Sequence, residues 1–212
     1  MNDTVPPSRA AILLVQLGTP DKPEVPEVRR YLREFLSDRR VVEQSPLIWW
    51  PILYSMVLTR RPKESAEKYR SIWTKAGSPL LVNTKLVAEA LQDELNKRGR
   101  QVEVVWAMRY GNPSMVDALR DLRDRGFSRI VVLPMYPQYS AATSGTVFDV
   151  IAREFLQWRS IPALRFLQSF HDDPGYIAAV AESIRHSWRQ SEAGKPEKLI
   201  FSFHGLPQSC VD

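Results

Sequence analysis

A nearly unbroken apolar run, Ala10 to Leu17, constrains this 212-residue chain more than any other stretch. It does not alternate apolar with polar residues, so the strand it forms must be covered on both faces. Strands of that kind belong to parallel sheets, whose neighbours are joined by crossover helices. The rest of the chain supplies that alternation. Pro26 to Ser37 places Val28, Tyr31, Leu32, Phe35 and Leu36 on one helical face. Pro79 to Arg98 reads as a second amphipathic helix, stopped by Gly99. Strands are expected at Gln101–Met108, Arg129–Pro134, Ala163–Ser169 and Leu199–Phe203. Helices are expected from Asn112-Pro113 to Gly126, with Pro at the first position, from Thr146 to Trp158, and from Asp173-Pro174 to about Gln190. The order argues for an α/β fold with parallel sheets and right-handed crossovers.

Composition narrows the class. An apolar fraction of 44%, with six Trp and eight Phe, is ample for a core and unlike a disordered chain. The net charge of +5 suits an anionic ligand or surface, but the charges are interspersed rather than blocked, which argues against a nucleic-acid partner. The single cysteine, Cys210, excludes an intrachain disulfide framework and fits a reducing compartment. The stretch Met1 to Arg9 is polar and proline-bearing and is read as carrying no secretory leader. No apolar run is long enough to span a bilayer.

In open parallel sheets, ligands bind beyond the carboxyl ends of the strands. The residues expected there are Gly18-Thr19-Pro20, Arg109-Tyr110-Gly111-Asn112-Pro113, Tyr136-Pro137-Gln138-Tyr139-Ser140, Phe170-His171 and His204-Gly205. Aromatics, hydroxyls, one Arg and two His suit a flat, largely apolar ligand with polar ends. There is no glycine-rich nucleotide fingerprint after the first strand, no phosphate loop and no Gly-x-Ser-x-Gly turn. His204 stands out because imidazole exchanges a proton near neutral pH and also binds metals. Arg109 has a plainer reading, a salt bridge to a nearby carboxylate. His186 falls inside a helix and reads as a surface or packing residue. Cys210 has no metal-ligand spacing around it.

Pro46 to Arg61 is the second unusual segment, with Trp49-Trp50 inside it and Arg60-Arg61 closing it. One reading is a core helix entered through a loop. The other is an exposed apolar lip whose aromatics meet a membrane or hydrophobic ligand while the Arg pair meets carboxylates or headgroups.

Five motifs, in order along the chain, resemble the ferrochelatase family. They are Leu17-Gly18-Thr19-Pro20; Tyr69 with Gly77-Ser78-Pro79; Arg109-Tyr110; Tyr136-Pro137-Gln138-Tyr139-Ser140; and Ser202-Phe203-His204-Gly205-Leu206-Pro207. The resemblance runs from about Ala10 to the end. It implies two Rossmann-like, chelatase-type lobes, each a parallel sheet flanked by helices. The first would cover 9–160, with an active-site lip at about 46–61; the second would begin at 161–212 and carry the catalytic His. It also implies insertion of ferrous iron into protoporphyrin IX to form protohaem, the last step of haem biosynthesis, in the bacterial protoporphyrin type.

By the same resemblance, His204 is the proton acceptor or metal-delivery ligand, and Arg109 an active-site Arg near the metal path. Leu17 lies on the opposite porphyrin face. Tyr69, Tyr110 and Tyr136 form walls. Arg61 and Ser78, with Lys63 as an alternative, match the propionate-side positions. Ferrous iron and protoporphyrin IX are substrates; no cofactor is permanently bound and no iron-sulfur cluster is expected in this chain. The implied setting is cytoplasmic, with contact between 46–58 and the inner face of the cytoplasmic membrane. A homodimer, a cobalt or coproporphyrin chelatase and a non-catalytic tetrapyrrole-binding protein stay open as alternatives. Only eight residues follow His204, and the family's acidic residues opposite that histidine are not among them. The chain is therefore expected to be a fragment or truncated product with an incomplete second lobe, inactive or poorly stable alone.

Overall fold

The computed structural model describes residues 9–191 and 196–205. Four strands form one sheet: β1 (Ala10–Thr19), β2 (Val102–Gly111), β3 (Arg129–Pro134) and β4 (Ala163–Phe166). Their order is β2-β1-β3-β4 and every pairing is parallel. Ala10 lies beside Val102 on one flank and beside Arg129 on the other, so β1, β2 and β3 start level. The chain leaves β1 towards β2 and later returns across β1 to β3. That reversal puts a topological switch point at the carboxyl ends of β1 and β3.

The apolar run behaves as its pattern requires. Ala11, Leu13 and Val15 face one side of the sheet and join a core with Met115, Leu119 and Leu122 of α5 (Met115–Asp124) and Val147, Val150 and Ile151 of α6 (Thr146–Phe155). Leu14, equally buried, points to the other side. There α4 (Pro79–Lys97) packs on β1 and β2. Helix α1 (Val25–Leu36) buries Val28, Tyr31 and Leu36 and touches β2.

A smaller core of Leu36, Leu53 and Leu58 joins α1 to a long helical rod. The rod begins as α2 (Pro46–Ile52), widens into a π-helical turn at Leu53–Val57 and continues as α3 (Leu58–Ile72). Trp49 is clamped there by its indole N–H, which donates to the Leu36 carbonyl at 2.7 Å. Apart from Leu53, Val57 and Leu58, the other apolar side chains of this segment are largely outside. Leu47 is 88% exposed, and Ile48, Trp50, Tyr54 and Met56 are also exposed. Pro46 to Arg61 thus combines the two readings: Leu53 and Leu58 are core, and the apolar side chains before and between them are largely exposed.

Two glycines make the carboxyl edge of β1 and β2 possible. Gly18 has a φ of +114°, and a Cβ there would stand 1.8 Å from the Tyr110 carbonyl oxygen. Gly111, at +83°, would place one 2.8 Å from the Thr19 carbonyl. The two strands thus approach each other at their ends more closely than any side chain allows.

Several expectations need correction. The strand expected at Leu199–Phe203 does not form: these residues have no regular structure and Ile200 is 87% exposed. A strand is stable only where a neighbour completes its hydrogen bonds, and none of the sheet's strands pairs with this run. The helix expected from Asn112-Pro113 starts at Met115 instead. Ser114 caps it, accepting the Asp117 N–H, and the Asn112–Pro113 peptide bond is cis. The expected passage to a second lobe near 160–161 is no break in the sheet, because β4 hydrogen-bonds to β3 from Arg129 to Val132. Helix α7 (Pro174–Gln190) comes next, capped by Asp173 as its Asp-Pro start predicts, and buries none of its side chains.

Replacing Gly18 by Ala adds a backbone collision to a strained φ. Urea unfolding is expected to show a loss of about 3 kcal/mol or more, while Gly99→Ala, whose Cβ meets nothing, loses about 1 kcal/mol. Equal losses at the two sites would remove the close approach as the reason for Gly18.

Candidate active site at the carboxyl edge of the sheet

Leu17 and Arg109 sit side by side on β1 and β2, given that Gly18 is beside Tyr110. Tyr136 lies two residues beyond the end of β3, on the other side of β1. The switch point is therefore ringed by Leu17, Arg109, Tyr110 and Tyr136.

Arg109 is held on all sides. Its side chain is 9% exposed and its partner Asp38 7% exposed. One terminal N–H₂ donates to Asp38 Oδ2, and Nε donates to the Thr146 carbonyl at 3.0 Å. The guanidinium carbon stands 4.2 Å from the centre of the Tyr110 ring. The Tyr110 hydroxyl donates to the same Asp38 oxygen at 3.0 Å, and the Arg40 backbone N–H donates to Asp38 Oδ1 at 2.9 Å. Asp38 thus ties the end of α1 to β2, and through Arg109 to the first residue of α6. The plainer reading of Arg109, a salt bridge, is what the structure shows.

Next to this pair the Arg40 guanidinium grips Asp149 of α6 with two bonds, at 2.6 and 2.8 Å. That hydrogen bonding holds the Asp149 carboxyl below its usual range. Arg40 also lines a cavity of about 300 Å³ with Tyr139, Ser144, Phe148, Phe166 and Gln168.

Four tyrosines form a wall. Tyr69 meets Tyr31 edge-on, with ring centres 6.3 Å apart, and Phe35 meets Tyr110 at 5.2 Å. Burial drives the phenol pKa of Tyr31, Tyr69, Tyr110 and Tyr136 upward, so all four stay neutral at physiological pH. The Tyr136 hydroxyl is buried and has no hydrogen-bond partner among the described residues. Such a group costs about 1–3 kcal/mol, which a ligand atom could offset. Ser78 is also drawn in: its buried Oγ accepts from the Thr19 hydroxyl at 2.9 Å, at the end of β1.

Six of the expected residues, Leu17, Tyr69, Ser78, Arg109, Tyr110 and Tyr136, therefore converge on one edge. Arg61 and Lys63 are exposed on α3, and among the described residues no hydrogen bond or ion pair joins them to this cluster. His204 is exposed, its Nδ1 2.8 Å from the Gly205 carbonyl oxygen, and among the described residues no hydrogen bond or ion pair joins it to this cluster. Asp38 and Tyr31 were not among the expected site residues. Tyr31 reads as core from its helical spacing, which it also is. Asp38 carries no local signal, because its partners lie 71 and 72 residues away.

The family model described as ferrochelatase matches residues 9–212. The chain belongs to the ferrochelatase family. A ferrochelatase of Aromatoleum aromaticum is 50% identical over 207 residues, which is 97% of this chain and 56% of that protein. One of Methylococcus capsulatus is 53% identical over 205 residues, 97% of this chain and 61% of the relative. A protein named ferrochelatase 2 in Shewanella oneidensis is 50% identical over 200 residues, covering 94% and 61%. The chain thus spans 56% to 61% of the length of these ferrochelatases. The four-stranded parallel sheet flanked by helices is this chain's fold as a member of that family. A cavity of about 620 Å³ lies at the opposite, amino end of the strands, among Arg9, Gln92, Asn96 and Val102, and holds none of the expected site residues.

Asp38→Ala is expected to cost about 3–5 kcal/mol, because it strands a buried guanidinium. A double-mutant cycle with Arg109→Ala should show a coupling of about 1 kcal/mol or more; additive losses would mean that the pair does not interact. The Asp149 carboxyl binds its proton less readily folded than unfolded. Its contribution is complete above the unfolded value of about 4 and is lost as pH falls through the lower folded value. Acid titration of stability should therefore be shallower below pH 4 in Asp149→Asn than in the parent, and an identical slope would sever the link.

Proposed function

We propose that this chain is part of an enzyme that inserts ferrous iron into protoporphyrin IX to give protohaem. The observation that carries this reading is the convergence of Leu17, Arg109, Tyr110 and Tyr136 at the switch point of a sheet of the ferrochelatase family. A macrocycle needs apolar walls. Leu17 and four neutral tyrosines offer them without fixed negative charge, while Ser78 supplies a donor beside the rim. Arg109, with its charge balanced by Asp38, adds a rigid edge without a net field against a divalent metal.

Metal entry requires two pyrrole N–H protons to leave. A neutral imidazole accepts one of them or delivers the metal, and the Ser202-to-Pro207 motif supports His204 for that role. The role requires His204 to be brought over the carboxyl edge of the sheet. The propionates of the porphyrin would meet Arg61 or Lys63 from the base of the lip. The exposed apolar side chains of 46–58 support contact with a membrane surface from which a hydrophobic substrate could enter.

A second reading, tetrapyrrole binding without turnover, is favoured for the 212-residue chain by an exposed His204 that among the described residues makes no hydrogen bond to the ring of site residues. Zinc insertion into protoporphyrin, followed by fluorescence, separates the two. The 212-residue chain should bind protoporphyrin without turning it over. A chain extended to the length of the relatives should turn it over, and His204→Ala should reduce that rate by at least about 100-fold. Binding without turnover in both chains would leave the carrier reading standing and overturn the chelatase.

A further inference from the structure

Between α1 and the π-helical turn lies a cleft of about 400 Å³, outside the ring of site residues. Its lining is Arg29, Arg30, Arg33, Tyr54, Leu58 and Thr59, with Pro26 at one end, and contains no carboxylate. Arg29 and Arg33 are one helical turn apart on α1, so they project from the same face. Arg29 is anchored: its Nε donates to the Leu58 carbonyl at 3.0 Å. Four of its five N–H bonds stay available. Arg30 is paired with Asp21 at 2.7 Å. Arg33 makes no side-chain hydrogen bond or ion pair among the described residues, and Glu34 is the carboxylate in its field. Two guanidiniums of the three are therefore left without a counter-ion at hydrogen-bond distance.

Such forked, weakly hydrated cations match the oxygens of a phosphate, and a phenol at the same rim adds a further donor. Tyr54 belongs both to this cleft and to the exposed lip, where Trp50 and Met56 stand 53% and 54% exposed. Cationic and apolar surface are thus continuous, the combination that holds a protein at an acidic bilayer.

We propose that this cleft binds a phosphate group through Arg29 and Arg33, either the headgroup of an acidic phospholipid or a free phosphate ester. The site needs no chelation chemistry, so failure of zinc insertion would leave it standing.

The intact chain is sedimented with vesicles of phosphatidylcholine alone and of phosphatidylcholine with phosphatidylglycerol, and glycerol 3-phosphate is titrated separately by calorimetry. Retention on the acidic vesicles is expected, weakening as salt rises. Arg29→Gln with Arg33→Gln should weaken it about 30-fold. Lys85→Gln with Lys97→Gln on α4, an equal loss of charge outside the cleft, should change it less than about threefold. Arg33→Gln alone breaks no hydrogen bond and gives the same direction of change should the double variant unfold. Arginine-dependent binding of glycerol 3-phosphate without vesicle retention assigns the site to a free phosphate ester. Loss of binding in the α4 variant equal to that in the cleft variant overturns the proposal, as does the absence of arginine-dependent binding to either probe.

Discussion

The carboxyl edge of this sheet depends on one buried charge pair. Arg109 and Asp38 are both nearly sealed from water, and neither could sit there alone. Desolvation makes the pair a poor source of net stability, but it leaves few arrangements open to its neighbours. Asp38 accepts from a guanidinium, a phenol and a backbone N–H, and Arg109 passes the constraint on to Thr146. Three elements that meet nowhere in sequence, the end of α1, the end of β2 and the start of α6, are thereby fixed around Tyr110. A site built in this way is rigid before any ligand arrives.

The same arrangement settles the electrostatics. An isolated Arg at this edge would leave an uncompensated positive charge beside the tyrosines. With Asp38 against it, the floor is neutral, and the tyrosines around it do not ionise at working pH. Positive charge is kept instead on the outer face of α1 and at Arg60 and Arg61, where it meets solvent and the rim of the lip.

Much of this was legible in the residues. The run at Ala10–Leu17 could only be a covered strand, and Arg129–Pro134 is one for the same reason. Motifs at strand ends brought Leu17, Arg109, Tyr110 and Tyr136 to one place, because parallel strands send all their carboxyl ends to the same edge. What local pattern could not show was pairing at a distance. Nothing around Asp38 announces Arg109, and nothing around Arg29 announces the carbonyl of Leu58. The run Leu199–Phe203 shows the converse. Its composition is right for a strand, but a strand is a relation between two segments, and its side chains stand in water.

The π-helical turn at Leu53–Val57 governs which way the lip faces. A π turn accommodates about one residue more than an α turn, and each added residue rotates the rest of the helix by about 100°. On its carboxyl side, Leu58, Pro62 and Ala66 repeat every four residues and lie buried along one stripe of α3. On its amino side, the helix has no fully buried residue; Trp49 packs partly against the small core while Leu47, Ile48 and Trp50 are turned outward. The wide turn therefore acts as a phase shifter. A single residue separates a helix that seals the domain from the same helix presenting its greasiest surface to the outside.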